Sequence, residues 1–212
     1  MDRLRAAIVG SGGMGHTRAA YLAQNELLGN TLIIYASDQG FFLGEHGWYD
    51  KRFMYEESLS MPLVMRYPSK VQAGSVSKDL VLNLDLAPTL LAAAGVEVPG
   101  DMQGASLLSL INNERKSGEA AGWRKGIDYH YYEYPYGAHK VKKHYGIRTD
   151  RYKLIHFYND IDEWELYDLK SDPREVTNLY SQPAFKELAD SLKKELNNLR
   201  DLYKDTARLE MH

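Results

Sequence analysis

Residues 31–58 read Thr-Leu-Ile-Ile-Tyr-Ala-Ser-Asp-Gln-Gly-Phe-Phe-Leu-Gly-Glu-His-Gly-Trp-Tyr-Asp-Lys-Arg-Phe-Met-Tyr-Glu-Glu-Ser. The first six are apolar and β-branched, then the chain turns abruptly polar, the pattern of a central strand in a parallel sheet. In open α/β sheets ligands gather beyond the carboxyl ends of the strands. Asp38 and Gln39 fall at such an end. A carboxylate and an amide carbonyl are hard oxygen donors suited to Ca²⁺ or Mg²⁺. Glycines at 40, 44 and 47 let the following loop fold tightly against a site. Lys51 adds a positive point charge within reach of an anion. Each feature also has an ordinary use: Asp as a cap or turn residue, Lys as a solvated charge, Gly in any loop.

The rest of the composition narrows the classes. With 212 residues the chain suffices for one domain or one and a half. A net charge of −3 gives no electrostatic case for nucleic acid or an anionic membrane as partner. The absence of cysteine excludes disulfides, thiolate metal sites and a cysteine nucleophile, and leaves the compartment open. No run approaches the length of a membrane span, and Met1–Gly10 is too weakly hydrophobic for a secretory signal. Sixteen tyrosines, concentrated at 129–136 and 145–180, point to β-structure with an aromatic face.

Upstream, Ala6-Ala7-Ile8-Val9 reads as a strand, and Gly10-Ser11-Gly12-Gly13-Met14-Gly15 fits G-x-G-x-x-G with Gly10, Gly12 and Gly15 in the glycine positions. A helix over 16–24 and the strand 31–36 complete a βαβ pattern, and Asp38 then falls where a ribose-binding acid belongs. This start resembles the glucose–fructose oxidoreductase family and offers a dinucleotide-binding alternative that competes for Asp38.

Downstream, Met61–Pro68 reads as a second buried strand punctuated by prolines. Asp85 is placed as the N-cap of a helix through Ala94, with Pro88 in its first turn and Gly95 as its stop. A short helix follows over 105–112, then a polar boundary over 113–122. Asp128–Tyr134, His144–Thr149, Tyr152–Tyr158 and Trp164–Asp168 are candidate strands, turned at Asn159-Asp160 and Ser171-Asp172-Pro173. A final helix over 183–204 carries Phe185, Leu188, Leu192, Leu196 and Leu199 on one stripe, which should cover one face of the meander.

Several stretches in order, Ser37-Asp38-Gln39-Gly40, Leu43 to Lys51, Tyr55 to Leu63, Asn83 to Leu90, Ala94-Gly95-Val96, Gly146 to Thr149 and Glu165 to Leu169, resemble the type I sulfatases. The resemblance covers roughly residues 20 to 205 and is to the C-terminal half of the catalytic domain plus the small C-terminal subdomain. It implies an α/β fold: a partial alkaline-phosphatase/sulfatase-like sheet over 19–122, then a small α+β subdomain over 123–212, an antiparallel meander with a C-terminal helix. Residues 1–18 are then a divergent or foreign N-terminus.

The resemblance also implies roles. Asp38 and Gln39 become metal ligands, usually for Ca²⁺; Gln39 stands where Asn or His is frequent. Lys51 becomes the catalytic group that neutralises charge on the sulfuryl oxygens. His139 and His144, in a polar loop entering the subdomain, become substrate-binding candidates, with a solvated loop as the bland reading. His46 is read as structural. Lys140, Lys142 and Lys143 read as a solvated face that also suits an anion. The substrate is a sulfated carbohydrate or another sulfate ester.

In that family the nucleophile is a formylglycine hydrate made from Cys or Ser in Cys/Ser-x-Pro-x-Arg. Formylglycine is not possible in this chain: there is no Cys, Ser171-Asp172-Pro173-Arg174 has its Arg one residue early, and Ser181-Gln182-Pro183 lacks it. The expectation is a sulfatase fragment that binds Ca²⁺ weakly if at all, does not turn over alone, and is marginally stable, self-associates through exposed sheet edges or rearranges its N-terminal part. A non-catalytic module that binds sulfated glycans is the other alternative.

Overall fold

The computed structural model describes residues 5–8, 20–111, 122–136 and 140–205, with backbone alone at 5–8 and 111. The chain divides into two compact units, residues 1–38 with 61–123, and residues 39–60 with 124–212. The second unit is therefore discontinuous: Gln39–Ser60 groups with the C-terminal residues and not with the strands that flank it in sequence. The later boundary between the units falls at Trp123/Arg124.

In the first unit β1 (Arg5–Ile8), β2 (Thr31–Ala36) and β3 (Leu63–Arg66) form one sheet in the order β1-β2-β3. β1 runs parallel to β2, from Arg5 opposite Thr31 to Ile8 opposite Ile34. β3 runs antiparallel, from Ile33 opposite Arg66 to Ala36 opposite Leu63. β2 is thus central, as its apolar run requires. Leu32 and Ile34 sit in a core with Tyr67, packed by Leu63, Met65, Leu86 and Leu90. β3 departs from the expected buried strand: it alternates half-buried and exposed residues, and Val64 is 63% exposed. One face of β3 packs and the other does not, the behaviour of an antiparallel strand.

A short 3-10 turn over Asn83–Asp85 leads into α2 (Leu86–Ala93), which follows α1 (Glu56–Leu59) of the second unit in chain order. Gly95 at φ +69° ends α2: Val96 N–H reaches Leu91 O at 3.0 Å and Gly95 N–H reaches Ala92 O at 3.2 Å. Asp85 does not cap the helix with its side chain. Fully buried, its carboxylate instead accepts Leu82 N–H at 2.8 Å and Ala105 N–H at 2.9 Å, clasping the loop that leads to α3 (Leu108–Ile111). Gly104 permits this approach, because a Cβ there would meet Leu84 O at 2.1 Å.

The second unit is built on the meander β4 (Gly126–Tyr131), β5 (His144–Thr149), β6 (Tyr152–Phe157) and β7 (Glu163–Asp168), all neighbours antiparallel. α4 (Lys186–Leu202) lays its stripe on one face, where Leu192, Leu196 and Ala189 close over Ile147, Leu154 and Leu166. The other face carries Tyr131, Ile155, Phe157 and Tyr167, and it is covered by Phe42, Phe53, Met54 and Tyr55 of the 39–60 segment. Gly146 is the contact point, since a Cβ there would lie 2.2 Å from Leu154 O and 2.9 Å from Met54 Sδ.

That cover is riveted by charge. The Lys153 side chain is wholly buried; its Nζ lies 2.9 Å from Glu56 Oε1 and 2.7 Å from Glu175 Oε1. Arg148 also pairs with Glu56, and Glu56 N–H donates to Glu175 Oε2 at 2.7 Å. Burial raises the Glu56 carboxyl, but Arg148 and Lys153 outweigh it and leave the group below its usual range. Tyr55 O–H to Glu165 at 2.9 Å and Tyr129 O–H to Arg52 O at 2.7 Å add hydrogen bonds to the ion pairs.

Removing one partner of a buried ion pair strands the other charge. Glu175→Gln is therefore expected to lower the unfolding free energy by about 3 kcal/mol in urea titration; a loss below about 1 kcal/mol contradicts the role given to Lys153. A second outcome concerns pH. His144 opens β5 fully buried against Phe53, Tyr129, Tyr131 and Phe157, its Nδ1–H donating to Lys142 O at 2.8 Å. Burial drives its pKa down from 6.5 to about 4. The unfolded chain takes up the proton first, so the stability that neutral His144 contributes is complete above about pH 6.5 and is lost as pH falls towards 4. The stability difference between wild type and His144→Phe should shrink by up to about 3 kcal/mol across that window; a pH-independent difference contradicts it.

Candidate functional site

The boundary between the units falls between Asp38 and Gln39. In the first unit, Asp38 is exposed two residues beyond β2. Its main-chain carbonyl accepts Asn83 Nδ2–H at 2.9 Å, which ties the strand end to the turn before α2. Ser37 Oγ–H approaches its Oδ1 at 3.4 Å. Ser37-Asp38 and the motif stretch 83–90, far apart in sequence, thus meet at the strand's carboxyl end.

In the second unit Gln39 and Lys51 are joined through one residue. Ser58, wholly buried in α1, donates its hydroxyl proton to Lys51 O at 2.7 Å. Its Oγ accepts Gln39 Nε2–H at 2.7 Å. Its carbonyl accepts Gly40 N–H at 2.8 Å. Gly40 is obligatory for this approach: a Cβ would stand 2.0 Å from Glu57 O and 2.9 Å from Ser58 O. The loop between is a tight double-back, with Phe42 N–H donating to Asp50 O at 2.7 Å. Gly44 at φ +128° and Gly47 at φ +74° make its turns, and His46 also adopts a left-handed φ of +53°. Packing offsets the strain at His46, its ring stacked on Tyr55 at 4.5 Å and its Nε2 3.6 Å from Glu57 Oε2. This suits the structural role read for His46. Lys51 is half-buried, and its N–H donates to Asp50 Oδ1 at 2.7 Å while Arg52 pairs with the same carboxylate.

The other sequence candidates are not all brought to this loop. His144 lies in the aromatic core, not in a polar loop; a fully buried imidazole presents nothing to a solute, so its expected substrate contact is corrected to a packing role. His139 and the glycines Gly10, Gly12 and Gly15 lie outside the described residues. Ser171–Arg174 forms a turn after β7, with Ser171 N–H donating to Asp168 O at 3.1 Å. Lys142 pairs with Asp160 and lies over the Tyr134 ring. Ser58, the buried residue that joins Gln39 to Lys51, is one that pattern reading did not single out. Its signal was present in Tyr-Glu-Glu-Ser, but a serine inside an acidic helix carries no pattern that separates a buried relay from a surface hydroxyl.

Asp38 and Gln39 offer the hard oxygens that Ca²⁺ or Mg²⁺ prefers, whereas Ca²⁺ takes about six to eight of them. Among the described residues no group of three or more His, Cys, Asp or Glu is arranged to hold a metal ion. The donor chemistry fits the cation, but two residues fill only part of its shell.

Comparison with known proteins bears on the whole arrangement. A family model described as N-sulphoglucosamine sulphohydrolase, C-terminal, matches residues 44–202. The chain is 56% identical over 185 residues to an N-acetylglucosamine-6-O-sulfatase of Bacteroides thetaiotaomicron, covering 87% of this chain and 33% of that protein. It is 35% identical over 195 residues to an arylsulfatase of Clostridium perfringens, covering 89% and 38%. Among solved structures, BT4656 in complex with its substrate D-glucosamine-2-N,6-O-disulfate superposes with a TM-score of 0.85 and 54% identity, over 90% of this chain and 38% of the other. The chain thus spans about a third of the length of the curated relatives it matches. The sulfatase-like α/β class read from the sequence is the class of these structures. With the family model matched from the motif loop to the last helix, the chain belongs to the N-sulphoglucosamine sulphohydrolase C-terminal family, and so to the sulfatases.

Proposed function

We propose that this chain supplies the C-terminal part of a sulfatase site acting on a sulfated carbohydrate, with 6-O-sulfated glucosamine derivatives as its substrate class. The observation that supports this most is the buried relay that fixes Gln39 and Lys51 together in a loop whose residues from 44 onward, Lys51 and Ser58 among them, fall within the match to the sulphohydrolase family. Sulfate-ester cleavage needs charge neutralisation on the sulfuryl oxygens, a nucleophile and a proton for the leaving alcohol. Lys51 provides the first. Its main chain is held by Ser58 and Asp50, so the ammonium has a defined origin.

Asp38 and Gln39, consecutive in the chain, are proposed as two oxygen ligands of a Ca²⁺ ion, the remainder of its shell coming from water or other groups of the full site. Such an ion would withdraw charge from the sulfuryl oxygens. The nucleophile motif does not occur in this sequence, so the chain by itself is proposed to bind without turning over. The edge left by β3, with Val64 exposed, is proposed as the route of any self-association.

The test uses the purified chain with glucosamine-6-sulfate as probe. Weak saturable binding is expected, with no release of sulfate in the presence of Ca²⁺. Lys51→Ala should weaken the binding about tenfold or more, given the ~1.5–3 kcal/mol of a charge-assisted hydrogen bond. Metal-dependent sulfate release, or binding unchanged in the Lys51→Ala protein, overturns the assignment.

A further inference from the structure

The geometry points to Ser58 as a positioning residue that decides which way the Gln39 amide faces. A primary amide presents two different atoms on nearly the same outline, so an oxygen ligand made of glutamine works only if the NH₂ end is committed elsewhere. In this loop the commitment can be followed proton by proton. Lys51 O is an acceptor and nothing else, so the single proton of the Ser58 hydroxyl goes to it, at 2.7 Å. The Ser58 oxygen can then only accept, and what it accepts at 2.7 Å must be an N–H of Gln39. The amide oxygen is thereby turned away from Ser58. The reversed amide would set oxygen against oxygen at the same distance, with no proton between them.

The surroundings keep this relay from rearranging. Ser58 is fully buried, so no water competes for its hydroxyl. Its backbone carbonyl holds Gly40 N–H at 2.8 Å, which fixes the main chain of the residue next to Gln39. The missing Cβ of Gly40 is what allows that closeness. The helix that carries Ser58 also carries Glu56, clamped by Lys153 and Arg148. The relay thus hands the rigidity of the ion-pair network to a single amide plane. Polar partners behind a ligand that orient it in this way usually matter for affinity by about 10–100-fold.

This inference rests on the reading of Gln39 as an oxygen ligand, and the experiment separates the two. Ca²⁺ affinity of the full chain is measured calorimetrically for wild type, Ser58→Ala, Gln39→Ala and the double variant, each well below its unfolding midpoint. The expected result is about tenfold weaker binding in Ser58→Ala and no further loss when Ser58→Ala is added to Gln39→Ala. Equal losses in both backgrounds, or none in either, overturn the positioning role while leaving the metal reading intact. A wild-type chain that ignores Ca²⁺ overturns the metal reading, and with it the purpose given to the relay. A second readout needs no metal and no variant: one side-chain N–H of Gln39 should exchange slowly with water in amide-resolved NMR, and rapid exchange of both overturns the relay itself.

Discussion

A lysine buried to the last atom cannot stay charged without close counter-ions, and Lys153 is buried to that degree in the middle strand region of the meander. Its needs shape the second unit. Glu175 reaches it from the loop after β7, and Glu56 reaches it from a segment nearly a hundred residues earlier in the chain. Because Glu56 must arrive there, the whole stretch from Gln39 to Ser60 is drawn down on the open face of the sheet. Phe42, Phe53, Met54 and Tyr55 then fill the space that α4 fills on the other side. Burial raises the Glu175 carboxyl against the pull of Lys153.

From that anchor the functional loop inherits its order. Glu56 opens a four-residue helix, and Ser58 is its third residue. A helix this short has little stability of its own; it persists because Glu56 and Ser58 are each fixed through main chain and side chain alike. What Ser58 holds in turn are the two residues proposed to touch ion and sulfate. The structural and chemical parts of the stretch are therefore not separable by position. Neighbouring residues serve the core and the proposed site within one short stretch of chain.

Much of this was legible in the sequence because its elements have strong periods. The apolar run 31–36, the stripe from Phe185 to Leu199 and the aromatic alternation of the meander each appear where their patterns put them. What escaped was set by long-range partners. Lys153 and Glu56 look like surface charges when read locally, and only a distant partner makes their burial tolerable. Asp85 has the type and position of an N-cap, yet Ala105 N–H claims its carboxylate from twenty residues away. His144 stands beside lysines that suggest a wet loop, but strand pairing with Phe157 turns it into the aromatic core. Met61–Pro68 is apolar enough for a buried strand, and its burial was decided by how many faces found a partner, which composition does not carry.

The central claim is that the loop bearing Gln39 and Lys51 is an ordered part of the meander's core and not a mobile connection. Native-state hydrogen exchange addresses it directly, through the amides of Gly40, Phe42 and Glu56, which are bonded to Ser58 O, Asp50 O and Glu175 Oε2. The account predicts that they open with about the same free energy as the β5 and β6 amides, as one cooperative unit. Exchange of those three amides by low-energy local opening, with β5 and β6 still protected, would contradict it.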